Sequence, residues 1–236
     1  TTGVQNTLIG GLAGDAITTG SNNTGIGKDA LSSTTTGGTN TAVGIVCMQY
    51  NTTASNNSAL GYNALNANTT GTSNVAVGAL ALDANTTASY NTAVGEAALG
   101  ANTTGASNVA TGQASLTSNT TGANNTALGV ASLQANTTAS NNTALGYSAG
   151  SGVTTGTGHT LIGALAGDAL TTATFNTAVG YGALSADTIG NKSTAIGYAA
   201  LFNQNYTTAT DAYNTAVGFH SGVSVTTGTR NTLIGG

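Results

Sequence analysis

The chain has 236 residues, with 35 glycines, one cysteine, no proline or tryptophan, and only 4% charged side chains. Three basic residues against a net charge of −4 exclude a phosphate-neutralising patch, so no nucleic-acid partner is expected. A single cysteine excludes an internal disulfide and a cysteine-based metal site, and no run reaches the ~20 apolar residues of a spanning helix, so no membrane insertion is expected.

The first predicted element is a short strand, Thr7-Leu8-Ile9, closed by Gly10, and it recurs down the chain. The most regular copies are Asn40-Thr41-Ala42-Val43-Gly44, Asn91-Thr92-Ala93-Val94-Gly95 and Asn176-Thr177-Ala178-Val179-Gly180. The closing glycine falls at 10, 27, 44, 61, 78, 95, 112, 129, 146, 163, 180, 197, 218 and 235, every step being 17 residues except the 21 from Gly197 to Gly218. A fixed short period marks a repeat architecture. With this glycine as position 0, position −1 is aliphatic except at Thr111, −2 is mostly Ala, −3 mostly Thr and −4 mostly Asn. Position +4 is usually Leu, as in Leu65, Leu82 and Leu99, and a polar corner such as Asn102-Thr103-Thr104 follows.

A 17-residue unit is too short for a helix–turn–helix repeat. Thr, Val and Ile favour strands and Gly, Asn and Ser favour turns, while the dipeptide Asn-Gly, the strongest hairpin signal, never occurs. The fold expected is therefore all-β: a parallel β-solenoid, or β-roll, of 13–14 coils, running as one array over residues 1–236. Asn at −4 and the Thr-Thr corners then become ladders between coils. Alternation along the strand puts Val94 and Thr92 on one face and Ala93 and Gly95 on the other. The expectation is that Val94 and Leu99 fill the interior, while the flat Ala/Gly face packs on identical chains around an axis shared by two or three partners.

The Asn-Thr-Ala-Val-Gly run followed by Ala-Leu resembles the repeats of YadA-like trimeric autotransporter heads, and more closely those of bacteriophage tail-fibre proteins. The resemblance spans the chain. It implies a left-handed β-roll, a homotrimer, and an extracellular location on a virion tail fibre or a bacterial surface. The coil here is longer than the adhesin repeat by its enlarged Asn-Thr-Thr corner.

Toward the C-terminal end, aromatics gather in phase. Tyr181, Tyr198 and Phe219 occupy +1 on successive coils and form a candidate aromatic stripe, either packing or a platform for a host-surface glycan or protein. The four extra residues place a bulged corner within 198–217, expected around Tyr206-Thr207-Thr208. Phe202, Tyr206, Asp211 and Tyr213 are its candidate contact surface. Cys47 and Met48 read as packing residues. His159 and His220 lie in different coils, and Asp15, Asp83 and Asp168 are isolated, so neither a metal nor a cofactor site is expected. Nothing assembles a nucleophile, a base and an oxyanion site, so the chain is not expected to be an enzyme. The expected function is a structural fibre segment acting as a rigid rod, possible as well in host attachment; the alternative is an ice-binding or other surface-binding solenoid. Because the chain opens and closes inside repeats, it reads as a segment of a longer fibre.

Overall fold

The computed structural model describes residues 2–236. It consists of two compact units, the first ending at Thr121 and the second running Gly122–Gly236. Each is a parallel β-solenoid in which one 17-residue repeat makes one coil. The first unit stacks β1 (Thr7–Ile9), β2 (Thr24–Ile26), β3 (Thr41–Val43), β4 (Ser58–Leu60), β5 (Val75–Val77), β6 (Thr92–Val94) and β7 (Val109–Thr111). The second stacks β8 (Thr126–Leu128), β9 (Thr143–Leu145), β10 (Thr160–Ile162) and β11 (Thr177–Val179), followed by β13 (Thr194–Ile196), β15 (Thr215–Val217) and β16 (Thr232–Ile234). A separate small pair joins β12 (Gly190–Asn191) to β14 (Thr210–Asp211). Within each unit the register keeps equivalent repeat positions opposite one another, as in Ala93↔Ala76 and Val94↔Val77.

The recurring glycine is a steric requirement. Gly95 has φ +136°, and a β-carbon there would lie 2.6 Å from the carbonyl of Gly112 in the next coil. Backbone stacked this closely in a conformation that L side chains rarely adopt leaves no alternative residue. The turn beyond it uses left-handed backbone at +2 and +4, with Ala97 at φ 54° and Leu99 at φ 52°. That conformation turns Leu99 into the coil, where it is fully buried.

The interior is filled differently from the expectation. Ala93 is fully buried while Val94 is 36% exposed, and the same holds along both units: the −2 Ala column faces in, the −1 aliphatic column faces out. Strand alternation separates two sets of side chains but does not say which is inside. The choice is made by volume. In most coils the thin interior holds one large side chain at +4, usually Leu, and the strand opposite has room only for Ala. The flat Ala/Gly face expected to meet another chain is thus the inner wall of the coil.

Two ladders of buried asparagine close the interior corners. At −4, Asn57 Oδ1 accepts from the backbone N–H of Asn74 (2.9 Å), and Asn57 Nδ2 donates to the carbonyl of Gly71 (2.9 Å). At +7, Asn85 Nδ2 donates to Asn68 Oδ1 (2.9 Å) and Asn102 Nδ2 to Asn85 Oδ1 (3.0 Å). Buried amides need partners, and a like amide one coil away supplies one. The corner threonines divide their roles. Thr103 Oγ1 donates to the carbonyl of Thr120 (3.0 Å), whereas Thr104, its neighbour, is exposed.

Candidate functional site: the outer strand face and the irregular corner

With Ala inside, the outer face of each strand carries −3, −1 and +1. It is apolar over long stretches: Ile9, Ile26, Leu60, Val94, Leu128, Leu145 and Ile196 at −1 are all exposed. Ile45, Tyr62, Val130 and Tyr147 at +1 extend the same face. Monomeric proteins rarely expose contiguous apolar surface of this kind.

The aromatic stripe lies on this face and is stacked as its phase requires. Tyr181 and Tyr198 have ring centroids 5.5 Å apart at 10°, and Tyr198 and Phe219 are 5.1 Å apart at 12°. His220 adds a fourth ring, 4.3 Å from Phe219. The inner rings turn their faces to one another, so Tyr198 offers an incoming sugar its edge rather than its π-face.

The irregular coil differs from the expected even split of its insertion. Thr188 still meets Asn205 across a spacing of 17, Gly190 pairs with Thr210 across 20, and Thr194 with Thr215 across 21. Three extra residues therefore lie between Asn205 and Thr210, and the fourth is a bulge at Ala212–Tyr213. Thr207 and Thr208 are exposed as expected, but Tyr206 is only 5% exposed and belongs to no contact surface. Its hydroxyl donates to the carbonyl of Gly228 (2.7 Å) and accepts from Asn214 Nδ2 (3.1 Å).

Tyr206 turns in because the corner ladder changes composition there. Asp187 and Gln204 take the +7 positions held by Asn in earlier coils. Gln204 Nε2 donates to Asp187 Oδ2 (2.6 Å) and Ser193 Oγ (2.9 Å), and Gln204 Oε1 accepts from Asn214 (2.8 Å). Burial pushes the Asp187 carboxyl above its ordinary range, and burial followed by the nearby Asp187 charge does the same to the Tyr206 phenol.

Phe202, Asp211 and Tyr213 are exposed. Asp211 and Tyr213 are brought together with two residues the sequence reading did not single out, Lys192 and Arg230. Lys192 Nζ lies 2.6 Å from Asp211 Oδ2 and donates to the Tyr213 hydroxyl at 3.2 Å. Its hydrogen bond to Asp211 raises the Lys192 pKa and holds the Asp211 carboxyl below its usual range. The tyrosine ring has Lys192 Nζ 5.2 Å and Arg230 Cζ 5.9 Å from its centroid. The signal was present in the sequence, since Phe175, Lys192, Tyr213 and Arg230 share phase −5 on successive coils.

The remaining candidates are packing residues. Cys47 is buried and its thiol is pushed up to about 12 by desolvation. His159 substitutes for Asn in the −4 ladder. Its Nδ1 accepts from the Asn176 N–H (3.2 Å), and Nε2 lies 2.8 Å from the Ala173 carbonyl, to which it donates. Burial lowers its pKa to about 4. No group of three metal-ligating side chains occurs among the described residues.

Comparison of the chain with protein-family models, with curated proteins and with solved structures gives no match.

Proposed function

We propose that the chain is a structural fibre segment, of a phage tail fibre or a bacterial surface adhesin, in which three identical chains bury their outer strand faces against one another. One observation carries this reading: the row of exposed aliphatic side chains at −1, repeated coil after coil and extended by the +1 aromatics. A surface of this kind, almost free of charge, is stabilised by covering it, and closed cyclic assembly covers it without leaving a sticky edge. The likeness of the Asn-Thr-Ala-Val-Gly repeats to those of trimeric β-roll adhesins and tail fibres supports the number three and an extracellular location. The corner around Lys192, Asp211 and Tyr213 stays at the periphery, free for a host-surface glycan or protein.

The test is to place charge in the row. Leu128→Lys with Leu145→Lys introduces two cations on adjacent strands, and the purified variant is expected to lose assembly. Thr138→Lys, on an exposed corner, is expected to assemble as wild type. Equal assembly of both variants would contradict the proposal.

An ice-binding reading draws on the outward threonine row at −3. That row is interrupted by Ser58, Val75 and Val109 and flanked by aromatics at +1. Thermal hysteresis of the purified chain distinguishes the two readings, since the fibre reading predicts none.

A further inference from the structure

We infer that the corner formed by Lys192, Asp211, Tyr213 and Arg230 is a binding site for a carboxylated saccharide. The inference rests on the fibre reading only for its biological meaning, as the receptor chemistry of that fibre.

The chain has three basic residues, and two of them flank one tyrosine. Along the same −5 column the other coils carry uncharged residues, mostly small ones such as Asn22, Asn56, Ser73, Asn124 and Asn141, with Tyr90 an isolated exposed aromatic. Every one of these positions has left-handed backbone, φ 51° at Tyr213 and 59° at Lys192 and Arg230, so the column is a corner. It carries charge only beside the irregular coil, and the insertion is what delivers Asp211 and Tyr213 to it.

The charges at the corner do not cancel. Lys192 is neutralised by Asp211. Arg230 is exposed and has no acidic group within ion-pair distance among the described residues; it meets the Tyr213 ring and, through its backbone N–H, the carbonyl of Ala212. Its guanidinium fork is held over the ring and is matched to a planar carboxylate. Beside it lie groups suited to hydroxyls: the Asp211 carboxylate, held by Lys192 and Asn191 Nδ2, and the Tyr213 hydroxyl. Phe175, 61% exposed, continues the column as an apolar surface for pyranose C–H groups. A carboxylate with adjacent hydroxyls on a semi-apolar ring is the chemistry of a uronic or other sugar acid.

The experiment is calorimetric titration of the full chain with tetragalacturonate, with maltotetraose as the neutral saccharide and inorganic sulfate as the anion without hydroxyls, at low ionic strength. The expected result is binding of tetragalacturonate and weak or no binding of the other two. Arg230→Gln is expected to weaken it by about 10–100-fold, the worth of a charge-assisted hydrogen bond pair. Arg230→Lys is expected to recover only part of that loss, and Lys28→Gln, remote in sequence, to change nothing. Absence of tetragalacturonate binding, equal binding of maltotetraose or sulfate, or an unaltered affinity in Arg230→Gln would each overturn the inference. The molecular mass of the same sample, measured alongside, separates this outcome from the fate of the fibre reading.

Discussion

Leu161 and Gly167 exchange volume across one coil. A β-carbon on Gly167 would lie 2.8 Å from Leu161 Cδ2. The neighbouring coil makes the opposite choice, with Ala178 at −2 and Leu184 at +4, both fully buried. Leu8 and Gly14 repeat the first solution. At Gly167 and Gly14, both at +4, the space is filled from −2 together with +7, by Leu161 with Leu170 and by Leu8 with Ile17. Leu161→Ala alone is expected to leave a cavity costing about 2–5 kcal/mol, and Gly167→Leu alone to overpack by about 1–3 kcal/mol. The double variant recreates the Ala/Leu pair and is expected to recover part of both losses, since Leu170 Cδ1 still lies 2.7 Å from a β-carbon at 167. Thermal unfolding of the four proteins gives the coupling; simple additivity would refute the exchange.

The ruler glycine predicts a different failure. Gly95→Ala forces a β-carbon onto the Gly112 carbonyl in a backbone conformation that alanine disfavours. A loss of about 1–3 kcal/mol is expected, together with faster amide exchange at Gly95 and Gly112. Unchanged exchange at both amides would show that the stack tolerates a methyl group.

Both the fold and its period were legible in the sequence, because a 17-residue recurrence of Gly with strand-forming neighbours admits few structures. The inside and outside of the strand were not. Hydropathy favours Val94 over Ala93 for the core, and only the dimensions of the coil reverse that order. The pairing of Leu161 with Gly167 was visible as a repeated motif, but its meaning required knowing that −2 and +4 face each other. At the irregular corner the sequence located the insertion and named Asp211 and Tyr213. It missed the inward turn of Tyr206, which depends on Asp187 and Gln204 replacing asparagines in a buried ladder. Lys192 and Arg230 were missed because they are 38 residues apart and meet only through Tyr213.

Tyr206 is expected to be structural. Tyr206→Phe removes the hydroxyl that Asn214 and the Gly228 carbonyl both use. Asn214 Nδ2 and the Gly228 carbonyl keep each other as partners (2.7 Å), so the expected cost is that of the lost hydrogen bonding, about 0.5–1.5 kcal/mol. Stability of Tyr206→Phe equal to wild type in denaturant titration would return Tyr206 to the surface.

His159 predicts a pH dependence. Its folded pKa of about 4 lies below the ordinary 6.5, so the unfolded chain binds the proton more readily. Its contribution is complete above about pH 6.5, declines as pH falls below that, and is lost through pH 4, amounting to about 3 kcal/mol in all. His159→Asn restores the −4 residue of every other coil except that of Ser193 and removes the titration. The loss of stability between pH 7 and pH 5 is expected to be smaller in this variant by about 2 kcal/mol. An identical loss in both proteins would show that His159 is not held neutral.

The central claim is that the outer aliphatic row is covered by identical chains. Sedimentation equilibrium of the purified chain tests it most directly. The account predicts a single species of three times the 22.6 kDa chain mass, independent of loading concentration down to the micromolar range. A stable monomer over that range, with the −1 row left in water, would contradict it.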